Sequence, residues 1–191
     1  MEFKVSRDFL AQIEQYIGEN RETELQELLQ DLHYADIAEI MGELDDSDAI
    51  YIFHILDSEK TAEILLELDE EVREKILREL SPKEIAEELD ELSTDDAADI
   101  IAELPQDRKE EVISEILDME HAKDIVDLLR YDEDTAGGLM GKELVKVNEN
   151  WNVLTCVKEM REQAANVQRV HSIYVVDDDN RLKGRLSLKI Y

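Results

Sequence analysis

The sequence contains few cysteines, prolines and glycines, and few basic residues. Its 191 residues include one cysteine, two prolines, six glycines and 21 lysines and arginines, against 50 aspartates and glutamates. The single cysteine, Cys156, excludes a disulfide framework and suits a reducing compartment. The net charge of −29 would repel polyanions, which excludes a general nucleic-acid binder and argues against binding to anionic membrane surfaces.

Long apolar runs are also missing. The longest uncharged apolar stretch, residues 49–56, is far shorter than the roughly 18 residues that a bilayer-spanning helix needs. No apolar run follows the first residues, so no signal peptide is predicted and the chain as given is expected to be soluble. Disorder, the usual consequence of a high net charge, is countered by an apolar content of 43% with helical spacing.

The charge divides the chain into two modules. Residues 131–191 carry nine basic and ten acidic residues, a net charge of −1, which leaves −28 on residues 1–130. Valine is distributed the other way, with four valines before Tyr131 and eight after it. We therefore predict an acidic α-helical domain over residues 1–130 and a domain of mixed secondary structure over residues 131–191.

The first module is an internal repeat. Leucine recurs at even intervals, at positions 32, 44, 56, 68, 80, 92 and 104, and Ala38, Ala62 and Ala86 recur at twice that interval. The leucine interval fits a helix of about nine residues and a tight connection, because one helical turn takes about 3.6 residues. The run Ser81-Pro82-Lys83-Glu84 is typical of a capping box at a helix start. The spacing predicts a superhelix of stacked helical hairpins, each as long as the alanine interval.

The second module is predicted to be mixed. The order is a strand, a helix, and two further strands, over residues 144–147, 151–163, 171–176 and 181–188. Asn150 is predicted to cap the helix, and its buried stripe is predicted to contain Val153, Leu154, Val157, Met160 and Ala164. The sequence stops where a closing helix is expected, which predicts that it is part of a longer protein.

The junction between the modules carries a family resemblance. The run Tyr131-Asp132-Glu133-Asp134-Thr135-Ala136-Gly137-Gly138-Leu139-Met140 resembles the link between the amino-terminal superhelical domain and the first CBS motif of MgtE-type magnesium transporters. The acidic repeat before this run, the strand at 173–177 and the segment 182–188 are similar to the same family.

The resemblance implies a fold and a function. The fold is mainly α, with a superhelix of short helical hairpins followed by a partial α/β CBS module. The function is that of a cytosolic Mg²⁺-sensing regulatory region, at the cytoplasmic face of the membrane in a multi-pass membrane protein. In that family the pore closes when Mg²⁺ bridges carboxylates between the cytosolic domains. The implied partners are Mg²⁺, the membrane pore domain of the same full-length chain, and a second copy bound through the CBS modules.

The resemblance also implies metal-ligating positions. Asp95 and Asp99 match positions that the family uses for Mg²⁺, Glu63 matches a third, and Gly138 matches a position that offers its backbone carbonyl. Asp95 and Asp99 are four residues apart, so they share one helix face, and Mg²⁺ prefers such oxygen ligands. The alternative is that Asp95 caps a helix while Asp99 and Glu63 are solvated surface residues.

Other site chemistries are weakly supported. The run Asp45-Asp46-Ser47-Asp48 resembles half of a calcium loop but lacks its Gly and final Glu, so a helix start is predicted there. The four histidines lack the pairing of a zinc site. No nucleophile signature or phosphate-binding loop is present, so the chain is not predicted to be an enzyme.

Two other functions stay open. A helical repeat can be a protein-interaction scaffold, which presents a concave surface to a partner. CBS modules often bind adenine nucleotides, and Gly184 and Ser187 match the ribose-contact pattern of such modules, whereas Ile190 stands where that pattern has Asp.

Overall fold

The chain divides into a helical unit that ends at Gly138 and a smaller mixed unit that begins at Leu139. The computed structural model describes residues 5–132, 134–164, 167, 170 and 172–187. Each unit is described by itself.

The helical unit consists of short helices that follow one another with tight connections. They are α1 (Arg7–Gly18), α2 (Glu22–Gln30), α3 (Tyr34–Glu43), α4 (Asp46–Ile55), α5 (Ser58–Glu67), α6 (Glu70–Glu79), α7 (Pro82–Leu89), α8 (Thr94–Glu103), α9 (Gln106–Glu115) and α10 (Met119–Leu128). From α3 to α9 the helices start at even intervals, as the leucine spacing predicts.

The repeated leucines lie at the helix ends rather than within the helices. Leu44, Leu56, Leu68, Leu80 and Leu104 each follow the last helical residue and have extended backbone angles, with ψ between 143° and 167°. An extended residue breaks the helix, and its apolar side chain is drawn into the core, as for Leu68 at 4% exposure. Leucine thus ends five of these helices, and at α5, α6 and α8 its side chain is buried in the core.

From α3 onward the helices stack in two rows, because the main contacts join helices two positions apart along the chain. One row joins α3, α5, α7 and α9, and the other contains the pairs α4 with α6 and α8 with α10. Ala38, Ala62 and Ala86 are buried in the first row, where small side chains permit close helix approach. The predicted stack of helical hairpins is confirmed.

Two cations of this unit bind carbonyls at helix carboxyl ends. Lys60 donates to the carbonyls of Leu29 and Gln30 at the end of α2, at 2.8 and 2.7 Å. Arg108 donates to the carbonyl of Leu77 in the last turn of α6, at 2.9 Å. Since carbonyls in the last turn of a helix carry partial negative charge, the cations stabilise the helix ends and link successive hairpins.

Polar side chains start the helices, as predicted. Asp45 accepts the backbone N–H of Asp48 at 3.0 Å, so the run that resembles a calcium loop is a helix start. At α7 the Ser81 Oγ accepts the N–H of Glu84 at 3.3 Å, while the Glu84 carboxylate accepts the N–H of Ser81 at 2.7 Å. This reciprocal pair is the predicted capping box.

Loss of this cap has a measurable effect on stability. We expect Ser81→Ala to lower the free energy of unfolding by about 1 kcal/mol, because a helix N–H loses its acceptor. Chemical denaturation followed by circular dichroism measures the change. Ser114→Ala is the control, since Ser114 Oγ only donates to the carbonyl of Glu111 on an exposed surface. Equal effects of the two substitutions would contradict the role of the cap.

The mixed unit has the predicted order of elements. It contains β1 (Val145–Asn148), α11 (Val153–Ala164), β2 (Ser172–Val176) and β3 (Leu182–Ser187). The sheet has the order β1-β2-β3, with β1 parallel to β2 and β2 antiparallel to β3. Residues 171 and 188, at the ends of two predicted strands, lie outside the described residues, as does residue 190 of the nucleotide pattern.

The start of α11 differs from the prediction. Asn152, not Asn150, accepts at the helix start, where its Oδ1 lies 3.0 Å from the backbone nitrogen of Thr155. The Asn150 side chain instead donates to Asp178 at 3.4 Å. The contact between Asn150 and Asp178 spans 28 residues, so the local sequence did not indicate it.

The buried stripe of α11 is also only partly as predicted. Met160 and Ala164 pack with Cys156 against a core of Val145, Val147 and Ile173, but Val153 and Leu154 are 77% and 83% exposed and Val157 is 39% exposed. A helix of 12 residues is about 18 Å long, whereas the four-residue β1 extends about 13 Å. The small sheet therefore covers only part of the apolar face of α11.

Within the described residues, no helix is both long enough and apolar enough to cross a membrane.

Candidate metal-binding cleft

A cleft of about 590 Å³ lies at the end of the helical stack. Helix α8 contributes Ala98, Asp99 and Ala102, and the end of α10 contributes Leu128 and Leu129. The turn that follows α10 supplies the remaining lining residues, which are Tyr131, Asp132, Asp134, Thr135 and Gly138. All of these residues belong to the helical unit.

The turn is held by one threonine. Thr135 Oγ1 donates to the carbonyl of Asp132 at 2.7 Å and accepts the N–H of Gly138 at 3.3 Å. The N–H of Thr135 also donates to the Asp132 carbonyl, at 2.9 Å. These bonds bring Asp132, Asp134 and Gly138 to the cleft beside α8.

Gly137 permits the same turn to pack on an aromatic ring. A Cβ atom at Gly137 would lie 2.6 Å from Cγ of Tyr131, which is closer than side-chain carbons pack. The Tyr131 ring can line the cleft only because this position has no side chain. The two glycines of the Thr-Ala-Gly-Gly segment therefore have different roles, with Gly137 against Tyr131 and Gly138 in the cleft wall.

Two of the four predicted ligands meet in this cleft. Asp99 is exposed on α8 and Gly138 is half-buried in the turn, and both line the cleft. Asp95 lies one turn earlier on α8 and is half-buried, with its Oδ1 2.8 Å from Ser93 Oγ. Ser93 Oγ also lies 2.6 Å from Asp96 Oδ2, so two carboxylates share one hydroxyl proton at the helix start.

The fourth predicted ligand lies elsewhere in the stack. Glu63 is half-buried on α5, which packs against α3 and α7. Neither Glu63 nor Asp95 is among the residues that line the cleft. The structure brings together Asp99 and Gly138, and leaves Asp95 and Glu63 outside this lining.

The lining offers suitable donors for Mg²⁺. Three carboxylates, the Thr135 and Tyr131 hydroxyls and backbone carbonyls are all oxygen donors, which Mg²⁺ prefers. Among the described residues, however, His, Cys, Asp and Glu side chains form no group of three or more that could hold a metal ion. The donor chemistry therefore fits a hydrated Mg²⁺ that keeps several waters, rather than an ion held directly by a preformed cage.

Two carboxylates of the cleft were missed by the sequence prediction. Asp132 and Asp134 stand in the same ten-residue run as Gly138, so their closeness in sequence to a predicted ligand was a usable signal. Their approach to Asp99 depends on how the turn folds back on α8, and residue spacing does not show this.

Taken with the fold, these features define an acidic helical-repeat domain that leads into a CBS-type α/β domain. The model of the MgtE intracellular N domain family matches residues 32–134, and that of the CBS domain matches residues 136–189. The first match covers more than half of the chain. The chain therefore belongs to the MgtE intracellular N domain family, and the predicted MgtE-type region is confirmed.

Two named relatives support the assignment. The chain is 42% identical over 74 residues to the magnesium transporter MgtE of Thermus thermophilus, a match that covers 39% of this chain and 16% of the relative. It is 36% identical over 70 residues to the magnesium transporter MgtE of Enterococcus faecalis, a match that covers 37% of this chain and 16% of the relative. Both relatives are magnesium transporters. In both relatives the match spans only a small part of their length.

Two solved structures share the fold. The cytosolic domain of the Mg²⁺ channel MgtE in complex with ATP matches with a TM-score of 0.82 and 32% identity, over 94% of this chain and 73% of that one. The soluble part of a magnesium transporter matches with a TM-score of 0.74 and 28% identity, over 94% of this chain and 70% of that one. The predicted fold class is confirmed.

Proposed function

We propose that this chain is the Mg²⁺-sensing regulatory region of an MgtE-type magnesium transporter or channel, and that Mg²⁺ bound to its acidic residues closes the pore. The observation that carries the proposal is the cleft at the end of the stack, where Asp99, Asp132 and Asp134 lie with Gly138. The proposal places the chain at the cytoplasmic face of the membrane, attached to a pore domain of the same full-length protein.

The charge of the chain supports a role for divalent cations. Residues 1–130 carry 40 acidic and 12 basic residues, so the helical stack repels itself and any acidic partner surface. In the cleft, Asp99 from α8 and Asp132 and Asp134 from the turn would have to approach one another against this repulsion. Bound Mg²⁺ would supply the compensating positive charge between them.

The chain's own residues would then determine how far Mg²⁺ shifts the population toward the closed arrangement. Thr135 fixes the turn, so Asp132 and Gly138 are held in place before any ion binds. Carboxylates that attract a cation more strongly in the closed arrangement shift the population toward it, by no more than the difference in affinity between the two arrangements. We propose Asp95, Asp99, Glu63 and the Gly138 carbonyl as ligands, and add Asp132 and Asp134 from the structure. A second copy bound through the CBS modules would complete the regulatory assembly.

A titration with Mg²⁺ tests this function. We expect Mg²⁺ between zero and tens of millimolar to reduce the hydrodynamic radius and slow proteolysis of the chain beyond the effect of NaCl at equal ionic strength. We expect the Mg²⁺-specific part to be largely lost in the variant Asp95→Asn with Asp99→Asn, and also in Asp99→Asn with Asp132→Asn, because each removes two carboxylates.

The matched control removes the same charge elsewhere. Asp69→Asn with Asp107→Asn replaces two exposed aspartates outside the cleft lining and should leave the Mg²⁺ response unchanged. Equal responses to Mg²⁺ and to NaCl would leave only ionic screening and overturn the proposal. Equal losses in the control and in the cleft variants would show that total charge, not the cleft, matters.

One comparison favours a second candidate, an adenine-nucleotide sensor. A similar structure is of an MgtE cytosolic domain in complex with ATP. In this chain Gly184 and Ser187 of the nucleotide pattern lie on β3. In the same titration a nucleotide sensor would respond to added ATP rather than to Mg²⁺ alone, and an interaction scaffold would respond to neither.

A further inference from the structure

A polar pair lies inside the helical stack, between α5 and α7. Thr61 is 1% exposed and Glu88 is 8% exposed, and Thr61 Oγ1 lies 2.6 Å from Glu88 Oε2. A carboxyl group in such a place loses its hydration, which disfavours its charged form. The proposed metal-binding cleft does not include either residue.

The repeat shows that the pair replaces apolar residues. One hairpin earlier or later, the position of Thr61 is occupied by Ile37 and by Ile85. The position of Glu88 is occupied by Ile40, Ile64 and Val112 in the other hairpins. All five of these apolar residues are 0% exposed. The stack therefore tolerates isoleucine or valine at both positions, and its architecture does not require a carboxyl group.

The hydrogen-bond geometry fits a protonated carboxyl group. Thr61 Oγ1 has one proton, yet three acceptors surround it: the carbonyls of Asp57 and Ser58 at 3.0 and 3.3 Å, and Glu88 Oε2. If Glu88 carries a proton, it donates to Thr61 Oγ1 and Thr61 donates to a carbonyl of its own helix. If Glu88 is ionised, Thr61 must turn its proton toward the carboxylate and leave those carbonyls.

The charges around the pair also favour the protonated form. Burial is the main cause that raises the pKa of Glu88 to about 7, and the negative charges of Glu87, Glu91 and Asp57 raise it further. The hydrogen bond from Thr61 acts in the opposite direction. Glu87 and Glu91 belong to α7 and the turn after it, while Asp57 precedes α5.

The cations of the neighbouring helices are directed elsewhere. Lys60 of α5 donates to the carbonyls of Leu29 and Gln30. On α9, Arg108 donates to the carbonyls at the end of α6, and Lys109 donates to the carbonyl of Ala102. The acidic residues that flank Val112 on α9, Glu111 and Glu115, are exposed to solvent.

We propose that Glu88 and Thr61 form a proton-binding site in the helical stack, so that loss of the Glu88 proton weakens the packing of α7 on α5. The ordinary glutamate pKa is 4.5 and that of folded Glu88 is about 7, so the folded state binds this proton more tightly than the unfolded state does. The stabilisation is thus full below pH 4.5 and is lost as pH rises through about 7. The site would make the stack sensitive to proton concentration, independently of Mg²⁺.

The pH dependence of stability tests the site. The chain is unfolded with urea in the absence of divalent ions. Between pH 6 and pH 8, loss of the Glu88 proton should raise the equilibrium constant for unfolding about tenfold. Glu88→Gln keeps a donor for Thr61 and cannot ionise, so this contribution should disappear. Thr61→Val removes the hydrogen bond that lowers the pKa of Glu88, so that pKa should rise further if folding is retained. The loss of stability should then extend to higher pH, while its onset, set by the pKa of 4.5 in the unfolded state, should not move.

Two further measurements keep the test decisive. Glu67→Gln is the matched control, because Glu67 is an exposed glutamate on α5, and it should retain the wild-type pH profile. Carbon-13 NMR of the wild-type Glu88 carboxyl follows its titration directly, even if a variant fails to fold. Titration of Glu88 in the ordinary glutamate range, or the same pH profile for wild type and Glu88→Gln, would overturn the proposal.

Discussion

Leu89→Ala should lower the free energy of unfolding by about 2 to 5 kcal/mol, the largest effect that we expect from a single substitution. Leu89 is 0% exposed at the end of α7, the helix that packs against both α5 and α9. Its replacement leaves a cavity that helices on two sides would have to fill, and their spacing is set by the rest of the stack. Urea unfolding followed by circular dichroism measures the loss.

The matched control is the same substitution on the surface. Leu117 is 84% exposed in the connection before α10, so Leu117→Ala should change the free energy of unfolding by less than about 0.5 kcal/mol. Similar effects of the two substitutions on the free energy of unfolding would contradict the interior position of Leu89.

Arg73→Ala should lower the free energy of unfolding by about 2 to 3 kcal/mol, because this one side chain joins three helices. Its guanidinium group binds both carboxylate oxygens of Glu103 on α8, at 2.8 and 2.6 Å. It also donates to the carbonyls of Leu65 and Leu68 at the end of α5, at 3.1 and 2.9 Å. With side-chain exposures of 15% for Arg73 and 30% for Glu103, these groups are only partly screened by water.

The neighbouring Arg78 provides the comparison within the same helix. Arg78 pairs with Glu74 at 2.6 Å, but the two side chains are 67% and 57% exposed. Arg78→Ala should therefore change the free energy of unfolding by less than about 0.5 kcal/mol, measured in the same urea experiment. An equal cost for both arginines would mean that the contact with α5 and α8 adds nothing beyond a surface ion pair.

The helical unit was predictable because its constraints are local and repeated. The regular spacing of leucine sets the helix starts, and the Ser81 capping box needs contacts only within one helical turn. The mixed unit was harder to predict because longer-range contacts decide its details. Asn150 and Val153 illustrate this, since a residue 28 positions away engages the first and the limited size of the sheet exposes the second.

The candidate cleft was predictable only in part for the same reason. The shared helix face of Asp95 and Asp99 follows from the spacing, but the approach of Asp132 to Asp99 depends on the turn held by Thr135. Glu88 is a residue whose burial its own type does not indicate. Its acidic side chain suggests a solvated surface, and only comparison with Ile40, Ile64 and Val112 one or more hairpins away reveals an interior position.

The alternation of two helix rows sets how such a domain can change length. A single helix and its connection added within the stack would move every later helix into the opposite row, and so exchange the partners of all of them. A complete hairpin would restore each later helix to its own row and keep every contact beyond the insertion. The stack can therefore grow or shorten by whole hairpins, while the turn that carries Asp132 and Gly138 stays attached to the last pair of helices.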